Sequence, residues 1–329
     1  MLRSRSSKKL CRFGTILFLP LLCFTIFSCS KKITASASES GERRVNTVAT
    51  IAQIGDLAHE IGGERARVSI LIHGSLDPHS YELVKGDDEL LQEADVVFYN
   101  GLGLEHGASL SEWLRSNSKS VAVGERISER APEKILHKDR TIDPHLWMDI
   151  SLWAEGLYPI AEALAKADPE GAAYYYERAE ALKQRMLEAD VEVRQILHKI
   201  PAERRYLVTS HDAFQYFTRS YLADQGEEGW QERFEAPEGL APDGQLGSSD
   251  IRRIVNYLKS HGISIRFPES NVSRDSIRKI ASVGKQMGLH VRICKEPLYG
   301  DAMDGENLHY LDMMRHNAET IARYLRVDA

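Results

Sequence analysis

A single long amphipathic helix constrains this chain more than any other feature. Residues 168–200 place Tyr175, Ala179, Leu182, Met186, Ala189, Val193, Ile196 and Ile200 alternately four and three apart, which lines them along one helical face. Both ends are signalled. Asp168 suits the cap of the first turn, Pro169 the first helical position and Glu170 the positive end of the macrodipole, while His198 and Lys199 precede the stop at Pro201. At 1.5 Å per residue such a helix runs about 45–50 Å, longer than one small domain requires. It therefore predicts a brace between two lobes. A solitary coiled coil fits less well, because the heptad spacing stops where strand-and-helix alternation begins on both sides.

That alternation defines the fold class. Before the helix, β-rich runs at 45–51, 67–72, 95–100 and 120–124 are interleaved with helical patterns at 53–61, 85–93 and 110–115. After it, strands are expected at 206–209, 232–235, 263–267 and 290–294, and helices at 213–221, 250–261, 274–287 and 308–324. The Gly- and Pro-containing stretch 227–248 is the least regular folded segment. The prediction is an α/β protein of two lobes, 44–167 and 201–329, joined by the rigid helix 168–200. Each lobe is a mainly parallel sheet of about four strands with flanking helices. Loops following strands in such sheets gather at one edge, where ligands bind.

The N-terminus differs in kind. Residues 1–28 carry Arg3, Arg5, Lys8, Lys9 and Arg12 with no acid, then an apolar run at 13–27 interrupted by Pro20. This is the pattern of a secretory signal, and too short and broken for a membrane span. Its loss removes five of the 42 basic residues and none of the 48 acidic ones, taking the formal net charge from −6 to −11. Nucleic acid is thereby disfavoured as a partner. Cys11, Cys23 and Cys29 lie in or next to the signal and leave Cys294 without a mate, so no disulfide framework is expected. Cys29 follows Ile26-Phe27-Ser28, a sequence similar to a bacterial lipoprotein cleavage box with an unusual Phe, and the polar run 29–43 then forms a disordered tether.

The chemistry is carried by histidines. Asp-Pro-His occurs at Asp77-Pro78-His79 and again at Asp143-Pro144-His145. Proline stiffens the backbone ahead of each imidazole, and the nearby carboxylate is suited to fixing the ring's tautomer. Singly, such a His is an ordinary polar loop residue; repetition points to metal ligation. His211, beside the helix-start residue Ser210, is a third candidate on position alone. His106 falls in a solvent-facing loop outside this set.

Here the chain resembles a family: the metal-binding receptors of zinc- and manganese-type bacterial ABC importers. The resemblance runs from about residue 45 to the C-terminus. It is carried by Asp77-Pro78-His79-Ser80-Tyr81-Glu82, Asn100-Gly101-Leu102-Gly103-Leu104-Glu105, Asp143-Pro144-His145-Leu146-Trp147, Ser210-His211-Asp212-Ala213-Phe214, Pro268-Glu269-Ser270-Asn271 and Leu298-Tyr299-Gly300-Asp301. It implies two α/β lobes on one rigid helix with the metal between them, and His79, His145, His211 and Asp301 as ligands. The match of Asp301 rests on the preceding Leu298-Tyr299-Gly300; Asp304 and Glu306 lie in the same acidic loop, and Asp304 stays open as the fourth ligand. The resemblance also implies an extracytoplasmic monomer that delivers its cargo to the membrane permease of an ABC importer.

Three imidazoles and a carboxylate suit a divalent transition metal, Mn, Zn or Fe, where Ca and Mg want mostly oxygen. Zinc receptors of this kind often carry a His-rich acidic loop before the second Asp-Pro-His; here 107–143 contains only His137, which tilts the expectation away from a dedicated zinc scavenger. The chain departs from the family at Arg266-Phe267, a more polar strand end than expected. A metal-dependent hydrolase is the enzymatic alternative, but four protein ligands would close the site, and neither a His-Glu-x-x-His helix nor a nucleophile elbow occurs. A surface adhesin of the same family is the third reading. Intact-mass spectrometry of the native protein should find the N-terminal signal removed; a retained N-terminus would contradict export with cleavage, and a diacylglyceryl mass on Cys29 would settle whether it is lipidated.

Overall fold

The computed structural model describes residues 43–138, 140–242, 247–303 and 308–326. The signal, Cys29, nearly all of the tether and the acidic pair Asp304 and Glu306 lie outside the described residues. In chain order the first half contains β1 (Val45–Ala49), α1 (Ala52–Gly62), β2 (Ala66–Ile70), α2 (Asp87–Glu93), β3 (Val96–Tyr99), α3 (Ala108–Ser116), β4 (Ser120–Ala122) and α4 (Val123–Arg130). A small antiparallel hairpin, β5 (His137–Lys138) with β6 (Thr141–Ile142), and two helices, α5 (Ile150–Trp153) and α6 (Leu157–Ala167), complete it. The four expected strands form one sheet in the order β2-β1-β3-β4, parallel throughout. The fourth is shorter than expected, since Val123 and Gly124 open α4.

The long helix is α7, Ala172–Leu197, about 39 Å at 1.5 Å per residue. Asp168 does cap its approach: the carboxylate accepts from the backbone N–H of Gly171, from Tyr175 Oη and from Arg65 Nε, and the Arg65 guanidinium holds its pKa below the usual carboxylate range. The residues between form a single 3₁₀ turn, Pro169–Gly171, so the α-helix proper starts later than the pattern suggests. Its buried face is the expected one, except that Leu197 replaces Ile196 as the 3.6-residue period drifts against the heptad and that Asp190, accepting from Tyr221 Oη, is buried with it. That face is gripped by α1, α5 and α6 on one side and by the C-terminal helix on the other.

After α7 come β7 (Leu207–Val208), α8 (Gln215–Phe217), β8 (Phe234–Glu235), α9 (Ser248–Ser260), β9 (Ile265–Arg266), α10 (Asp275–Gln286), β10 (Arg292–Ile293) and α11 (Tyr310–Arg326). The strands pair in parallel as β7 with β8 and β9 with β10, and Phe267 N–H donating to Val208 O at 2.9 Å joins the pairs, giving the order β8-β7-β9-β10. They are shorter than expected. Pro268 has no N–H to give the ladder, which resumes beyond it as a parallel bridge between Glu269 and Leu298. That bridge sets the segment of Glu269 beside the segment leading to Asp301.

Among the described residues no helix is long and apolar enough to cross a membrane. Arg266, the polar strand end, is fully buried; none of its guanidinium nitrogens has a hydrogen-bond partner among the described residues, and burial pulls its pKa down to about 10. A buried charge without a partner is a net cost to folding. Arg266→Met should therefore raise the thermal midpoint, with a gain of about 1–4 kcal/mol in denaturant unfolding; a lower midpoint would show that the arginine is paired in solution.

Candidate metal centre

All four expected ligands come together. His79 lies in the segment after β2, His145 just after β6, His211 just after β7 and Asp301 in the segment after β10, so three follow parallel strands at the ligand-binding edge of such sheets. One ring nitrogen of each imidazole and one Asp301 oxygen lie within 4.8 Å of one another. The Asp301 carboxylate is the hub: its oxygens stand 3.1 Å from His211 Nε2, 3.4 Å from His145 Nε2 and 3.5 Å from His79 Nε2. The imidazole centroids are 5.4, 5.4 and 6.2 Å apart. His106 is exposed, as expected of its loop, yet its ring lies 5.6 Å from that of His79.

The two Asp-Pro-His segments share one backbone device and differ in a second. In each, the Asp carboxylate accepts the N–H of the His two residues on, at 2.9 Å for Asp77 and 3.0 Å for Asp143, closing the turn that aims the ring. Only Asp143 also holds the imidazole, with Oδ1 2.7 Å from His145 Nδ1. Asp77 turns instead to the Ser80 hydroxyl. With Nδ1–H donated to Asp143, His145 presents the lone pair of Nε2 to the cluster. Trp147 packs edge-on against this ring at 5.3 Å.

Glu269 is the participant that the histidine pattern missed. Its Oε1 accepts the N–H groups of Ser210 and His211 at 2.9 and 2.8 Å, and its Oε2 lies 2.6 Å from His211 Nδ1, close but not aligned as a hydrogen bond. The carboxylate is buried. It also explains Gly300, where a Cβ would stand 2.4 Å from Glu269 Oε2. The signal was present in Pro268-Glu269-Ser270-Asn271, but no spacing rule links that segment to His211, 58 residues earlier.

The carbonyls of the Asp301 loop are held from the first lobe. Gln53 Nε2 donates to the carbonyls of Gly300 and Asp301, and Trp147 Nε1 donates to that of Gly300. Asp56, one turn along α1 from Gln53, accepts from His309 Nδ1 and from the N–H of Tyr310, the first residue of α11.

The Nε2 atoms of all three imidazoles and both Asp301 oxygens are buried without a hydrogen-bond partner among the described residues. Five orphaned donors to one point are costly unless a cation completes them. The electrostatics agree. Burial opposes charge on Asp301, yet the imidazoles outweigh it and hold the carboxyl well below its usual range. Burial likewise opposes charge on His211, but the Asp301 and Glu269 carboxylates outweigh it and raise its pKa well above the ordinary histidine value. His79 is lowered, chiefly by burial. In the metal-free state one proton on His211, between two carboxylates, supplies the positive charge that a metal would bring.

Comparison with known proteins finds metal-binding relatives. The profile of a family described as ZnuA, zinc-uptake complex component A periplasmic, matches residues 47–324. The metal-binding protein YtgA of Chlamydia pneumoniae is 38% identical over 321 residues, covering 95% of this chain and 96% of that protein. The manganese-binding lipoprotein MntA of Bacillus subtilis is 33% identical over 309 residues, 92% and 97% of the two chains. The crystal structure of Fe(III)-bound YtgA from Chlamydia trachomatis superposes with a TM-score of 0.81 at 36% identity, covering 85% of this chain and 98% of that one. Outer partners of metal ligands tune affinity by about 10–100-fold. Glu269→Gln should weaken metal binding by that factor in calorimetric titration; unchanged affinity would restrict Glu269 to supporting the backbone of Ser210 and His211.

Proposed function

The chain belongs to the family of periplasmic zinc-uptake component A proteins, and from that membership we propose that it is an extracytoplasmic receptor that carries one transition-metal ion to the permease of an ABC importer. The observation that carries this reading is the convergence on one point of five buried donor atoms without a partner among the described residues. His79 and His145 reach it from the lobe before α7, His211 and Asp301 from the lobe after it, so the ion is the cargo that ties 44–167 to 201–329 across the helix at 168–200.

Three nitrogens with one or two carboxylate oxygens give a set of four or five donors that suits Mn, Zn or Fe, and leaves too few oxygens for Ca or Mg. Relatives span these metals in their descriptions, as zinc uptake, manganese binding and Fe(III) binding. The signal at 1–28 and a lipid on Cys29 would place the receptor outside the cytoplasmic membrane, in keeping with a periplasmic family and a lipoprotein relative. Release of cargo requires the loops to move more than the lobes, because α7 is packed continuously against helices of both.

Calorimetric titration with Mn(II) and Zn(II), with melting measured in parallel, tests this function. Metal at 100 times its Kd should add about 2.7 kcal/mol of stability. Alanine at His79, His145, His211 or Asp301 should cost more than the roughly 100-fold of an outer partner and abolish the gain. The sign with pH follows from His211: its raised pKa means that a proton competes with metal already above pH 6.5, so affinity should fall roughly tenfold per unit as pH drops below that raised value. Wild-type affinity in all four variants would overturn the proposal.

A further inference from the structure

We propose that His106 is the entry ligand of this receptor: the side chain that first coordinates the incoming ion at the mouth of the site and passes it to His79. The inference rests on the ligand set above and concerns how the ion reaches it. The buried centre must fill and empty through some edge. Of its four side chains, His145, His211 and Asp301 are fully covered and only His79 retains exposure, at 2%. His106 stands next to it, exposed, with ring centroids 5.6 Å apart and planes tilted by 53°. That spacing falls within the 5.4–6.2 Å that separates the imidazoles of the centre itself. An ion leaving one ring therefore has a short step to the next.

The tautomer is suited to the task. His106 Nδ1 lies 3.1 Å from the carbonyl oxygen of Gly103, which can only accept, so Nδ1 carries the hydrogen and Nε2 keeps its lone pair for a metal. The loop that carries it is held firmly. Gly101, Leu102 and Gly103 all have positive φ, at 74°, 55° and 85°, a conformation that a leucine adopts only under constraint. The constraint comes from Glu105, just before His106, whose buried carboxylate accepts Thr50 Oγ1 and the N–H groups of Asn100 and Gly101 at 2.7, 2.8 and 3.0 Å. An exposed imidazole is thus presented on a fixed pedestal. A surface cleft of about 550 Å³ opens alongside it; of its exposed carboxylates Glu112 pairs with Arg115 at 3.8 Å, and Glu125 is left to draw cations toward the ring.

An entry ligand has a kinetic signature. Filling and emptying follow one path, so removing the way-station slows both and leaves their ratio nearly unchanged. Stopped-flow mixing of the mature protein with Co(II), followed by tryptophan quenching with Trp147 beside the centre, measures both rates. His106→Ala and His106→Gln should each slow association and dissociation by about tenfold or more, with Kd moving less than about threefold. Gln retains polarity and bulk but is a poor ligand, so wild-type rates in His106→Gln would overturn the proposal. So would unchanged association with weakened equilibrium affinity, the mark of a packing role or a resident fifth ligand. His79→Ala serves as the separate control: if it binds Co(II) as tightly as wild type, the ligand set itself is wrong and the entry route falls with it. Loss of binding in His79→Ala with unchanged kinetics in both His106 variants would sink this inference alone.

Discussion

A carboxylate buried among three imidazoles is the constraint on which the rest of this structure depends. Asp301 has no exposed side-chain surface and faces the Nε2 atoms of His79, His145 and His211. An anion there is tolerable only with compensating positive charge, which a proton on His211 or a bound metal supplies. The surrounding elements serve to keep the five donors convergent. Asp143 and Glu269 stand at the Nδ1 sides of His145 and His211, while Gln53 and Trp147 hold the backbone carbonyls beside Asp301.

The same contacts tie the two halves together. Asp56 and Gln53 on α1 reach the loop of the opposite lobe at both ends, at Asp301 and at the N-terminus of α11. Tyr216, from the second half, accepts the Leu136 N–H and donates its hydroxyl to the Asp143 carbonyl, steadying the second Asp-Pro-His from across the centre. Behind these contacts α7 is a continuous spine with its apolar face fully occupied. A spine packed against helices of both halves disfavours wide hinging.

Much of this was legible in the sequence, for physical reasons that differ by element. The long helix announces itself through period and caps, because one of its faces is buried and the other is not, whereas the central strands of the first sheet, buried on both faces, show as short β-rich runs between helical patterns. The segment around Leu146, Trp147, Met148, Ile150, Leu152 and Trp153 gave no such sign: it is buried on every side, so amphipathic periodicity is absent although helices form there. The strands of the second sheet were expected longer than the residue pairs that form its ladder. The four ligands came from repeated motifs and family resemblance. The role of Glu269 and the nearness of His106 to His79 arise from contacts between distant parts of the chain, which no local spacing encodes.

Anomalous X-ray diffraction from crystals grown with Mn(II) or Zn(II) tests the central claim most directly. The account predicts one strong peak about 2.0–2.3 Å from Nε2 of His79, His145 and His211 and from an oxygen of Asp301. A peak held by Asp304 in place of Asp301, or metal found only at surface carboxylates with the three imidazoles uncoordinated, would contradict it.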